Sequence, residues 1–479
     1  MKNDLNVTIK SIKYSRVIII IVVTIFSIYA AYACYTSSTL YSSYESLYIL
    51  PLVHGLFSVI FIIICFKGDF YLDIPVLVIY FAFFFRNVIT PLAMANGQSI
   101  SMIGYPTSSG ARMAIILLLY ETFMVLLTIA ILKRKRRIKF TQHITRIRVF
   151  HPSNEKFVVM LIIFVSISLL SLLLLPELRS QYYSLFTKDI THLVQNEISY
   201  TSGLKRMLGS AGELVIEATR LILCTLIFCK IREKNGSSLS FCVCLIIIGL
   251  QLFFMTDSNA YLLILVLTLF LVLSKLFPKY GQKALIGLVA AGIGFVAVLW
   301  INRFALDHYG TSISIFLQAY FPGVANCAGI LKLFPRTGWE AFSQFFIDMY
   351  ATVPFRSTLF GYSGGLVDVC TRWNIANGVT GQILPTIAES YYYFGAILSP
   401  ILSCIITAIS IKSFEKAQDE VNPLKYAVLV FVSLYAAASI CMYDWYIFCN
   451  GITNRVLFMI ILAWLSNYSV KDIINRGGL

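Results

Sequence analysis

The chain has 479 residues, 58% of them hydrophobic and 14% aromatic, with a mean hydropathy of +0.80. A soluble core of this size does not need so much apolar surface, so the composition excludes a soluble globular enzyme and indicates an integral membrane protein. The net charge of +15 would ordinarily suggest nucleic acid. Here the basic residues cluster between apolar runs, as a topology signal facing anionic headgroups would, and nucleic acid is set aside as a partner.

A helix needs about 20 apolar residues to cross a hydrocarbon core of roughly 30 Å. Runs of that kind fall at about twelve places: residues 17–35, 48–66, 70–89, 111–132, 157–175, 211–229, 239–255, 259–275 and 284–301, then 385–411, 426–444 and 452–468. The expected fold is all-α and polytopic. With the N-terminus in the cytoplasm, the cytoplasmic segments hold 25 of the 38 lysines and arginines, and each contains at least one. Cytoplasmic loops retain positive charge during insertion, so both termini are expected inside. The first run lacks a small-residue cleavage site and is expected to stay as an anchor. Three regions follow: nine helices over residues 1–301, a large outer loop over 302–384, and three helices over 385–479.

In chain order, the first outer loop, 36–47, carries one acid, Glu45, and no acidic pair. The third span ends in Phe83-Phe-Phe-Arg86-Asn87, which places Arg86 at the outer boundary, snorkelling or facing an anionic head. Glu121, central in the fourth span, is expected to face the bundle interior. The loop 176–210 carries Arg179, Lys188, His192, Lys205 and Arg206. In the sixth span Glu213, Glu217 and Arg220 stand at i, i+4 and i+7 and share one face. Arg220 is about 14 Å below the helix start, so that face lines protein or a polar cavity. An ion-pair ladder would satisfy the same pattern. Asp257 and Asn259 suit a helix cap.

The ninth span delivers Arg303, Asp307 and His308 to the outer surface. The loop after it adds Arg336, Asp348, Arg356, Asp368 and Arg372, with Trp339, Phe342, Phe345, Phe346 and Tyr350 closely spaced. Such aromatics suggest short helices lying against a bilayer surface. Glu389 falls one turn inside the tenth span, behind a Pro385 suited to a first helical turn. The last two spans meet at Asp444 and Arg455. Eleven scattered cysteines read as small apolar packers, and Cys242-Val-Cys244 lacks metal-ligand spacing. Cys327 and Cys370 share the outer loop and are open to pairing in an oxidising compartment.

Most of these embedded or bordering charges fall on the outer side, whereas a transporter needs them along its path or near the midplane. The one-sided cluster suits an enzyme working at one interface. Arginine forks bind phosphate or pyrophosphate bidentately, and neighbouring carboxylates can take a proton from an attacking hydroxyl. The chain contains no P-loop, HExxH or GxSxG, so nucleotide and metal-hydrolytic chemistry gain no support.

The late large loop, Gly203-Leu-Lys-Arg206, the stretch from Gly381 to Gly395, and Asn454-Arg455 resemble the Wzy-type polymerases, the O-antigen or oligosaccharide repeat-unit polymerases. The resemblance implies a GT-C-like, inverting, metal-independent glycosyltransferase without a cofactor in the bacterial plasma (inner) membrane. It would move a growing lipopolysaccharide or capsule glycan from undecaprenyl pyrophosphate onto a new lipid-linked repeat unit. A flippase and a chain-length regulator are the implied partners, beside membrane lipid. Arg455, Arg206 and Glu389 fall on matching patterns. At Thr256-Asp257-Ser258 the chain departs from relatives that carry an arginine there, which moves the pyrophosphate role towards Arg220, Arg303, Arg336 or Arg356. Glu389, Asp348 or His308 is the expected base, and Glu213, Glu217 and Tyr392 the expected cavity lining. A ligase or another lipid-linked glycosyltransferase would use the same donor. A lipid-linked oligosaccharide flippase predicts two similar halves, and the sequence has no internal repeat.

Overall fold

The computed structural model describes residues 2–65, 73–96, 106–134, 155–180, 203–234, 236–254, 259–281, 313–334, 336–354, 365–376 and 383–476. Among them every regular element is helical. The first part of the chain forms α1 (Lys2–Thr36), α2 (Ile49–Cys65), α3 (Ile74–Phe84), α4 (Thr90–Asn96), α5 (Ser108–Arg134), α6 (Glu155–Leu174), α7 (Pro176–Ser180), α8 (Gly203–Lys234), α9 (Ser238–Leu250) and α10 (Asn259–Leu276). Then come the shorter α11 (Ile313–Tyr320), α12 (Val324–Leu333), α13 (Gly338–Ala351), α14 (Leu366–Ala376) and α15 (Thr386–Phe394). The chain closes with α16 (Ile401–Gln418), α17 (Pro423–Met442), α18 (Trp445–Gly451) and α19 (Leu457–Arg476).

Seven stretches among the described residues are long and apolar enough to cross a membrane: Ile19–Thr36, Ser42–Ile63, Ile74–Asn96, Ser108–Lys133, Glu155–Leu174, Pro423–Met442 and Trp445–Ser466. The chain is a helical membrane protein. The expected ninth span, 284–301, lies outside the described residues. Among the described helices α17 is the central one, buried on all sides as an all-round apolar helix must be. Its small residues Ser433, Ala436, Ala437, Ala438 and Ser439 let neighbours approach closely. Ser433 donates to the carbonyl of Ser410 at 2.7 Å, and Ser410 donates back to that of Ser433 at 2.9 Å, which fastens α16 to α17. By contrast α6 leaves Leu169, Leu170, Leu173 and Leu174 exposed, the face a lipid-contacting helix presents.

Three local features differ from expectation. First, α3 does not stop near Asn87; it runs through a π turn at Phe85–Ile89 into α4, so Arg86 falls in the interior of Ile74–Asn96 and not at a boundary. Pro91 lacks the N–H that would bond the carbonyl of Asn87, and a widened turn absorbs the loss without ending the helix. Second, the expected span 385–411 is two helices. Gly395, at φ 81°, ends α15, and a turn leads into α16. Tyr120 of α5 donates to the carbonyl of Ile397 at 3.0 Å and pins that turn. Third, the large loop is helical, but its helices do not all lie on a surface. α13 exposes Trp339, Phe346 and Tyr350, whereas α12 is buried from Val324 to Ile330 and packs on α5 and α15.

Candidate functional site

The break at Gly395 leaves α15 a nine-residue helix wedged between α12, α13 and the start of α16. Glu389 and Tyr393 are four residues apart on it and therefore share a face. Both are fully buried, with Asp348 of α13 beside them. Tyr393 donates its hydroxyl to Asp348 Oδ2 at 2.6 Å and lies 3.0 Å from Glu389 Oε1. A phenol has one hydrogen to give, so the second contact is satisfied when a carboxyl brings a proton of its own. Two carboxylates joined through one hydroxyl can share a proton between them.

The main chain completes the site. Glu389 Oε2 accepts the N–H of Trp445 at 2.6 Å, and Asp348 Oδ2 accepts the N–H of Leu366 at 3.1 Å. Asp444 caps α18 by accepting the N–H of Ile447 at 2.6 Å. Thr386 donates to the carbonyl of Tyr443 at 2.9 Å, tying α15 to the same turn. Gly365 leaves room for Asp348, because a Cβ at that position would overlap its carboxylate. Burial, then the nearby carboxylates of Asp444, Glu389 and Asp348, push the Cys370 thiol up, which disfavours its thiolate. Cys370 and Cys327 are both free and buried; they do not pair.

From Tyr393 the site opens into a cleft of about 300 Å³ lined by Arg336, Gly338, Trp339, Phe342, Phe394 and Leu398. Arg336 is exposed at its rim, beside Gly395. Tyr392, half-buried, neighbours Tyr393 on the same helix.

A second group of charges gathers around Tyr261 of α10. Arg455, on the π turn Ile452–Val456 that follows α18, lies over the Tyr261 ring with its guanidinium carbon 4.4 Å from the centroid. Arg220 of α8 holds Glu217 at 2.9 and 3.2 Å and reaches Gln251 Oε1 at 3.3 Å. Glu217 is buried and Glu213 exposed, so only part of the expected ladder faces inward. Stacked and edge-on rings, Tyr261 to Phe431, Phe431 to Tyr435 and Tyr435 to Phe448, connect this group with the turn at Asp444.

The structure thus brings together Glu389 and Asp348, and separately Arg220, Glu217 and Arg455. Arg206 sits on the first turn of α8. His308, Arg303 and Arg356 lie outside the described residues. Among the described residues no three His, Cys, Asp or Glu side chains stand close enough to hold a metal ion. No family model, curated protein or solved structure matches this chain.

Sequence reasoning missed Tyr393 as the link between the carboxylates. Its signal was the i, i+4 spacing from Glu389. Asp348 joins them only through the packing of α13 on α15. The reasoning also missed Tyr261, which carries no charge and reads as an ordinary core aromatic.

Proposed function

We propose that this chain is a Wzy-type glycan repeat-unit polymerase, acting at the outer face of a bacterial plasma membrane with both termini in the cytoplasm. The observation that carries the reading is the buried Asp348–Tyr393–Glu389 unit beside a cleft that Arg336 borders. In this proposal the carboxylate pair takes the proton of the acceptor sugar hydroxyl, and the hydroxyl oxygen forms the new glycosidic bond with inversion. The bond from the donor sugar to undecaprenyl pyrophosphate breaks, and the leaving diphosphate is accepted as an anion by Arg336 at the cleft or by Arg220 and Arg455 in the separate group around Tyr261. Arg303, Arg356 and Arg206 remain further candidates for that role, and His308 for the base.

A second reading draws on a different observation. The Arg86–Glu121 pair sits mid-span, where transporters place polar groups, and it favours a lipid-linked oligosaccharide flippase.

Deleting the gene and sizing both the surface glycan and the lipid-linked pool separates the two. Chains reduced to one repeat on an otherwise normal surface support polymerisation, and Arg455→Ala and Glu389→Gln should then each fail to restore long chains. Persistence of full-length polymer overturns the polymerase. Repeats held on the cytoplasmic side favour the flippase.

A further inference from the structure

The turn between α15 and α16 lies within the depth of a membrane span. Tyr120, whose hydroxyl holds the carbonyl of Ile397, is 12 residues from Ser108 and 13 from Lys133, the ends of its span. Main-chain groups at that depth need partners, and the turn supplies them: Ser399 donates to the carbonyl of Ala396 at 2.8 Å, and the N–H of Ile401 to that of Leu398 at 3.0 Å. Its side chains face outward, with Ile397 83% and Leu398 51% exposed. Ile401 and Ile405, one helical turn apart on α16, carry the exposed apolar surface onward.

Beside this turn stands a cation without a counter-ion. The Arg336 guanidinium carbon is 3.4 Å from where a Cβ on Gly395 would lie, and Arg336 makes no hydrogen bond or ion pair among the described residues. Glu340, the acid closest to it in sequence, is exposed on the first turn of α13 and does not pair with it. Trp339, Phe342, Phe394 and Leu398 make the walls of the cleft apolar, and Arg336 is the one cation among the described residues that line it. A lone guanidinium below the membrane surface is costly, and the cost falls when the bilayer thins locally and brings a phosphate to it. α13 also starts at this cleft with no side chain capping its first N–H groups, which adds the positive end of a helix dipole.

We propose that this cleft is a docking site for an anionic phospholipid that enters sideways from the bilayer. Its phosphodiester rests on Arg336, one negative charge against one positive, with the planar fork on two phosphate oxygens. An acyl chain lies against the aromatic walls and along Ile397, Leu398, Ile401 and Ile405. A diphosphate carries more charge than one guanidinium matches. With a phospholipid on Arg336, the leaving group of the proposed reaction falls to Arg220 and Arg455. The docking itself makes and breaks no covalent bond, and it rests on neither the polymerase nor the flippase reading.

The test places the purified full-length chain in phosphatidylcholine nanodiscs that contain, as a minor component, either phosphatidylglycerol or phosphatidylcholine brominated on one acyl chain. Bromine quenches a tryptophan it touches, and Trp339 is exposed at the cleft. The brominated phosphatidylglycerol should compete for the site about fivefold better than the brominated phosphatidylcholine, the preference one cation confers on an anionic lipid. Arg336→Gln, a change at an exposed side chain, should remove the preference, and Arg336→Lys should keep part of it. Trp339→Phe should remove the quenching difference, because it removes the reporter. Equal quenching by the two lipids overturns the inference, as does a preference that survives Arg336→Gln. If Arg336→Gln does not fold, a difference that persists in Trp339→Phe overturns it equally. A preference abolished by adding undecaprenyl diphosphate would make the cleft a substrate site and overturns it too. No glycan is made in the assay, so its outcome and that of the gene deletion are independent.

Discussion

Glu389 accepts the main-chain N–H of Trp445 at 2.6 Å, a bond between segments 56 residues apart in sequence. It fixes one oxygen of the carboxylate, leaving the other to Tyr393. Glu389→Gln keeps an oxygen for Trp445 and loses the ability to take a proton. The expected outcome is a folded chain that forms no long glycan. Glu389→Ala leaves the buried amide of Trp445 without an acceptor and should cost about 1–3 kcal/mol of stability as well. Thermal unfolding in detergent, run beside glycan sizing, distinguishes the two variants. If the Gln variant restores long chains, Glu389 is not the base.

Gly365 gives a sharper test of how tightly the site is built. A Cβ there would overlap the carboxylate of Asp348, which is itself held by Leu366 and Tyr393 and cannot retreat. Gly365→Ala should therefore lower the melting temperature markedly, at a cost of about 1–3 kcal/mol typical of overpacking. At Gly249 an added Cβ would meet nothing within 4 Å. Gly249→Ala should melt close to the parent. Equal melting temperatures for the two variants would mean that Asp348 is not packed as described.

The helical character and seven of the spans were legible in the sequence, because apolar runs are local signals. The misplaced elements share a physical cause. Arg86, Asn87, Thr90 and Pro91 look like the polar end of a span, but each of the first three is buried inside the bundle and the π turn carries the helix past Pro91. In the other direction, the apolar run from Pro385 to Ile411 conceals a break, because Gly395 at φ 81° ends α15 without any loss of hydrophobicity. Periodicity reports which residues are apolar; it does not report whether a neighbouring helix supplies the missing hydrogen bonds. The same limit hid Tyr393, whose role depends on Asp348 arriving from α13.

Cys370 tests the electrostatics of the site through its thiol. Its upward shift means that little thiolate exists near pH 8, and thiolate is the form that alkylates. With N-ethylmaleimide at that pH, mass spectrometry should find the exposed Cys242 labelled well before Cys370. Because the shift is upward, raising the pH to about 9 should not open Cys370 in the folded chain, whereas denaturant should. Prompt labelling of Cys370 at pH 8 would place it away from the three carboxylates.

Arg86 and Glu121 predict a coupled pair of substitutions. Arg86→Met alone leaves a carboxylate buried without its partner, and Glu121→Leu alone strands a guanidinium. Breaking one side of a buried ion pair costs about 3–5 kcal/mol, so each single variant should unfold far below the parent temperature. Replacing both removes both desolvation costs, and the double variant should be more stable than either single one. Ser403 and Asn87 would still lose a partner each, which keeps the double variant below the parent. Thermal unfolding of the four proteins completes the cycle. A double variant whose loss equals the sum of the single losses would show that the two side chains do not interact.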